Sequence, residues 1–143
     1  MIKANLHSHS QYCDGKASME EMVQGALRKG LKILGISSHA PVPFSNNFSI
    51  TDNAQLNQYC KEVRHLQDKY KDKIDIYLSL EIDYIQGITT DFETFKKDFG
   101  LDYTIGSIHL VKGANNDRLW FIDGPDASNY DRGLREAFGN DIY

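Results

Sequence analysis

The chain has 143 residues, 41% hydrophobic and 25% charged, with a formal net charge of −4. That is one globular domain's worth of sequence, and 16 scattered Lys and Arg against 20 Asp and Glu offer no electrostatic case for a nucleic-acid or anionic-membrane partner. No apolar run approaches the roughly 20 residues of a membrane helix, Met1-Ile-Lys-Ala-Asn5 lacks a signal-peptide layout, and Cys13 and Cys60 have no C-x-x-C spacing, so a cytoplasmic protein with reduced thiols is expected.

Strand-like and helix-like stretches alternate along the chain, without internal repeats, low-complexity segments or a linker that would divide it. Residues 2–9 read as a first strand. Ser18-Met-Glu-Glu21 is a capping-box sequence opening a helix with Met19, Met22, Val23, Ala26 and Leu27 on one face, and Gly30 is a plausible stop. Residues 32–38 read as a short buried strand ending at His39, beyond which Pro41 and Pro43 prevent regular continuation. A second helix is expected from about Asp52 to Tyr70, with Leu56, Tyr59, Cys60 and Val63 at helical spacing. From Ile74 to Asp83 apolar Ile76, Leu78, Leu80 and Ile82 alternate with Tyr77, Ser79, Glu81 and Asp83, the pattern of a strand. Thr90-Asp-Phe-Glu93 is a second capping-box pattern, opening a short helix, and residues 103–111 read as a fourth strand. Beyond it, residues 119–122 suggest a short strand and residues 130–138 a helix. Strands separated by helices imply parallel pairing through right-handed crossovers, hence an α/β architecture, either a barrel or a doubly wound sheet.

Two of the five histidines fall in Asn5-Leu-His-Ser-His9. On a strand, residues i and i+2 share a face, so His7 and His9 stand side by side at a spacing at which two imidazoles share one ion. His7 and His9, His39, Glu81 and His109 each lie at or near the C-terminal end of a different expected strand, the edge where α/β proteins bind ligands. Imidazole nitrogen and ionised carboxylate suit Zn²⁺, Mn²⁺ or Fe²⁺, and Asp14 in the loop after the first strand adds an anionic donor. Each residue has a bland alternative: half-exposed strand-end histidines, a surface carboxylate at Glu81, a turn filler at His39, a satisfied core histidine at His109. Asp83 reads as a solvated group or one behind the ligands, and His65, opposite the apolar stripe of its helix, as a solvated residue. A thiol nucleophile at Cys13 is weaker than a small buried cysteine. No G-x-S-x-G, P-loop or G-x-G-x-x-G pattern competes.

The ordered set His7-Ser-His9 with Tyr12-Cys-Asp-Gly15, Ile36-Ser-Ser-His39-Ala, Leu80-Glu-Ile-Asp-Tyr84-Ile-Gln-Gly87 and Ile105-Gly-Ser-Ile-His109 resembles successive motifs of the PHP (polymerase and histidinol phosphatase) superfamily, most closely its histidinol-phosphatase branch. The resemblance implies the N-terminal portion of a distorted (β/α)7 barrel with up to three divalent ions at its rim. It further implies hydrolysis of L-histidinol phosphate to L-histidinol and phosphate in histidine biosynthesis. His7, His9 and Glu81 would hold one ion, Glu81 and His109 a second, Asp14 and His39 a third, with Glu81 bridging and water, rather than a side chain, as the nucleophile. The family's later ligands, a histidine on a following strand and an Asp-x-His pair, have no counterpart after His109. The chain is therefore expected to be the first part of a longer phosphatase, with an unpaired edge strand and exposed apolar helix faces. Other PHP phosphoesterases or nucleases, and a metal-binding piece without turnover, are the competing expectations; the oligomeric state stays open.

Overall fold

The computed structural model describes residues 3–113, 118–123 and 126–140. In chain order the elements are β1 (Ala4–Asn5), α1 (Met19–Arg28), β2 (Ile33–Ile36), α2 (Asn53–Tyr70), β3 (Asp75–Asp83), α3 (Phe92–Phe99), β4 (Tyr103–Ser107), β5 (Leu110–Lys112), β6 (Leu119–Phe121) and α4 (Ala127–Phe138). The first four strands form one sheet in the order β1-β2-β3-β4, with β1 parallel to β2 and β2 parallel to β3. This is the α/β architecture expected. The chain divides into two compact units, Met1–Ile82 with Thr90–Ile105, and Asp83–Thr89 with Gly106–Tyr143.

In the first unit the helices form where the sequence places caps. Ser18 accepts from Glu21 N–H while the Glu21 carboxylate takes the Ser18 N–H, a complete capping box, and α1 stops at Gly30, whose N–H meets Leu27 C=O while Leu31 N–H meets Ala26 C=O. Asp52 caps α2 through Gln55 N–H. Met19 and Val23 of α1 and Leu56, Tyr59 and Val63 of α2 are fully buried in one core with Ile36, Leu78 and Leu80 of β2 and β3. Each such aliphatic side chain contributes about 1.5–3 kcal/mol relative to exposure. The ring of Tyr103, from β4, passes over Gly35 so that its hydroxyl donates to the Leu6 carbonyl; a Cβ at Gly35 would lie 1.9 Å from that oxygen.

Several expected boundaries move. The first strand is only Ala4–Asn5 among the described residues, because the segment at 7–10 meets the end of β2 partly through serine side chains instead of a regular ladder. Asp91, not Thr90, caps α3 and accepts from Thr94 N–H; a carboxylate so placed also complements the helix dipole. The expected fourth strand is two: β4 ends at Ser107, and β5 pairs antiparallel with β6 in the second unit. There α4 begins at Ala127, three residues earlier than expected, capped by Asp126, and ends at Gly139 in the left-handed conformation. Trp120 is buried against Gly133. No helix among the described residues is long and apolar enough to cross a membrane.

Candidate metal centre

Beyond β1, alternate residues of the segment divide their work. The Ser8 N–H donates to Ser37 Oγ (3.0 Å), its hydroxyl donates to Gly35 C=O (2.6 Å), and Ser37 N–H returns a bond to Ser8 C=O (2.9 Å). Ser10 Oγ pairs with Ser38 Oγ at 2.9 Å. With the two serines bonded to the β2 side, the alternating backbone sends His7 and His9 to the other face. His39 follows Ser38, and a single parallel bridge, His39 with Glu81, sets it beside β3; Glu81 N–H donates to Ser38 C=O (3.1 Å) and Ala40 N–H to Glu81 C=O (2.8 Å). Asp14 returns toward His9 through a tight turn in which Cys13 N–H donates to Ser10 C=O (3.0 Å). Gly15 lies so close that a Cβ there would sit 2.4 Å from the His9 carbonyl carbon and oxygen.

The turn and strand ends converge on Glu81, which is 3% exposed. Its Oε2 lies 2.7 Å from His7 Nε2, 2.9 Å from His9 Nε2 and 3.9 Å from His39 Nδ1. The two Nε2 atoms are 3.1 Å apart, and His9 Nδ1 is 2.9 Å from Asp14 Oδ1. The His39 ring meets His9 edge-on at 4.6 Å and Phe48 at 5.4 Å. Two groups, His7 with His9 and Glu81, and His9 with Asp14 and His39, each offer three ligand atoms within 4.8 Å of one another.

Neutral imidazoles leave one contact of this arrangement repulsive: the His7 Nε2–H can be shared by Glu81 Oε2 and His9 Nε2, yet those two atoms then face each other as acceptors at 2.9 Å. Ionised carboxylates only accept, so His9 facing Asp14 carries its proton on Nδ1 and points the Nε2 lone pair at Glu81 Oε2, another acceptor. A cation resolves the conflict, either a second proton or a metal ion. Ligand atoms around a tetrahedral Zn²⁺ are about 3.3 Å apart, close to the spacing among His7, His9 and Glu81, so the donor set fits a divalent ion. The protonation tendencies agree. His9 is pushed up to about 9, chiefly by the Cys13 hydrogen bond, against burial and with Asp14 adding to it. Burial raises Glu81, Asp14 and Cys13, yet bonds to His7 for Glu81 and to His9 for the other two outweigh it and hold all three below their ordinary values.

In the second unit His109 lies past the end of β4 rather than on a strand. Asp83 Oδ1 is 2.6 Å from His109 Nδ1 and also receives the His109 N–H (3.3 Å) and the Ser107 hydroxyl (3.3 Å). Asp123 Oδ2 is 3.6 Å from Nε2. Asp83 is 3% exposed, so the solvated reading of it is corrected: it holds the His109 ring. Its i+2 spacing from Glu81 carried that signal. Asp123, beside an expected strand end, had none. His65 is exposed on α2, as expected.

The PHP domain pattern matches residues 5–140. The chain belongs to the PHP family. Among curated relatives, this PHP chain is 28% identical over 122 residues to the histidinol-phosphatase of Bacillus subtilis, covering 78% of itself and 46% of that protein. Among solved structures, a candidate histidinol phosphatase from Listeria monocytogenes superposes with a TM-score of 0.72 at 25% identity, covering 90% of this chain and 52% of that one. The histidinol phosphate phosphatase of Lactococcus lactis, solved with zinc, L-histidinol and phosphate, gives 0.56 at 28% identity over 75% of this chain and 40% of that one. The fold is thus that of part of a PHP-type barrel. The chain spans less than half the length of the curated relatives it matches.

Proposed function

We propose that this PHP chain carries the N-terminal part of a metal-dependent phosphomonoesterase whose substrate is L-histidinol phosphate. The observation that carries the metal reading is Glu81 Oε2 standing 2.9 Å from His9 Nε2, two acceptors face to face whenever His9 is neutral with its proton toward Asp14, with His7 Nε2 2.7 Å away on the same oxygen. The substrate is argued from the histidinol-phosphatases among the relatives and from the L-histidinol and phosphate in the Lactococcus lactis structure.

His7, His9 and Glu81 would hold one ion, and Asp14 and His39 with His9 another; within the second unit, Asp83 fixes the ring of His109, a ligand candidate in its own right. When bound, such ions lower the pKa of water into the neutral range and neutralise phosphoryl charge. The residues' own contribution is positional, and phosphoryl transfer depends mainly on positioning and electrostatics. Glu81 and Asp14, both held below their ordinary values, remain ionised at neutral pH and supply negative charge among the imidazoles. The hydrogen bond from Nδ1 to Asp14 fixes the His9 ring, as Asp83 does for His109.

The test is bound metal per chain by elemental analysis, beside His7→Ala/His9→Ala, followed by phosphate release from L-histidinol phosphate, nucleoside monophosphates and single-stranded DNA with added Mn²⁺. Metal lost in the double variant, together with release from L-histidinol phosphate alone, supports the reading. Preference for nucleotides or DNA moves the chain to another PHP activity. Metal retention without turnover marks a metal-binding module.

A further inference from the structure

Tyr59 of α2 is fully buried and lies behind the ligands, not among them. Its hydroxyl donates toward two main-chain carbonyls, Ile36 C=O at 2.7 Å and Ser79 C=O at 2.6 Å, and accepts the Ser38 N–H at 3.2 Å. These three groups belong to adjacent strands. The β2–β3 register runs from Ile33 with Asp75 to Ile36 with Leu78 and is kept at the His39–Glu81 bridge. On that register the Ser38 N–H faces the Ser79 carbonyl, the next bond of a parallel ladder. Where a direct bond would span about 2.9 Å, the phenol oxygen stands in between, reached by 3.2 Å from one side and 2.6 Å from the other.

The insertion precedes His39 by three residues on one carbonyl, Ile36, and by one on the amide, Ser38; on β3 it precedes Glu81 by two. It is continuous with the first segment, since Ser38 Oγ bonds Ser10 Oγ at 2.9 Å and accepts the Ser10 N–H at 3.3 Å. Ser10, Ser38, Ser79 and Tyr59 are all fully buried, so water does not substitute for a missing member. One hydroxyl therefore touches the backbone that delivers His39 and Glu81, and through Ser38 the backbone that delivers His9.

We propose that Tyr59 is a positioning residue of the metal centre: its hydroxyl wedges β2 from β3 just ahead of His39 and Glu81 and so sets the spacing of the ligand groups. The proposal rests on the metal reading above. Tyr59→Phe removes one oxygen and keeps the ring, and Val63→Ala, one turn further along α2 and fully buried, is the control for a loss of core stability alone. Co²⁺ is the probe, with affinity from chelator competition, the visible spectrum of the bound ion, and the melting temperature of each protein in EDTA.

Tyr59→Phe weakens Co²⁺ binding about tenfold or more and alters the Co²⁺ spectrum. Val63→Ala lowers the melting temperature yet stays within about twofold of the parent affinity. If Tyr59→Phe lowers the melting temperature and keeps the parental affinity and spectrum, Tyr59 is a core residue only and the proposal is overturned. A parent chain that binds no Co²⁺ overturns the metal reading itself and the wedge with it, a result recognisable before any variant is made. Should Tyr59→Phe be unfolded in buffer, the same comparison is run in sodium sulfate, which strengthens burial.

Discussion

His9 engages both ring nitrogens, Nδ1 with Asp14 and Nε2 with Glu81, and is the one imidazole common to both ligand groups. Because its protonated form is favoured up to about pH 9, an incoming ion displaces a proton below that pH. Glu81 and Asp14 are held low and stay ionised across the neutral range, so they add no slope there. Metal affinity is therefore expected to rise about tenfold per pH unit toward pH 9, for one proton released, and to flatten above it; calorimetry in buffers of different ionisation enthalpy counts the proton. Cys13→Ala removes the largest cause of the raised value and should strengthen binding at pH 7, whereas loss of the metal would make the thiol a ligand instead. Gly15→Ala pushes a methyl into the His9 backbone and should cost about 1–3 kcal/mol in urea denaturation, with metal lost as well. At this scale the H-x-H spacing and the strand-end position of Glu81 were legible. The hydroxyls of Ser8, Ser10, Ser37 and Ser38 were not, since serine has no characteristic spacing and acquires its role only when two segments meet.

The starts of α1 and α2 were legible from their caps, Ser18 and Asp52, whereas the Asp91 and Asp126 caps of α3 and α4 lay beside the expected starts. Ser18→Ala should lower stability by about 1 kcal/mol while leaving metal content unchanged; a fall in metal content would tie α1 to the site. Strand ends were less legible, because the run 103–111 keeps strand-favouring Tyr103, Thr104, Ile105, Ile108 and Val111 on both sides of the break, and nothing local marks the change of partner after Ser107. The first strand was overread for a different reason: an extended backbone bonded through side chains looks the same in sequence as one in a ladder. Gly35 shows a constraint that local pattern does not carry, since the atom that excludes a side chain there arrives from Tyr103, far along the chain. Gly35→Ala is accordingly expected to displace Tyr103 and destabilise by about 1–3 kcal/mol, measured by thermal unfolding; a neutral result would mean that the tyrosine moves aside freely.

At the scale of the whole molecule, an ion held between His7 and Glu81 would join residues 74 apart in sequence. A ligand that binds only the folded chain stabilises it by about 2.7 kcal/mol at a hundred times its dissociation constant. Treatment with EDTA should thus lower the melting temperature of the parent and leave His7→Ala/His9→Ala unchanged; equal responses would show that the chelator acts elsewhere. The alternation of strands and helices made the α/β class readable throughout, whereas the division into two units was not, because it falls inside β3 and β4 rather than at a linker. The bond from Tyr103 to the Leu6 carbonyl adds a matter of timing. It closes a separation of 97 residues, a span whose closure costs less entropy once nearer contacts have already shortened the loop. His7 follows Leu6 directly: during synthesis Ser8 can meet Gly35 and Ser37 early, whereas the Leu6 carbonyl receives its tyrosine partner only after a strand made almost a hundred residues later, so the backbone ahead of the histidines is secured in two instalments.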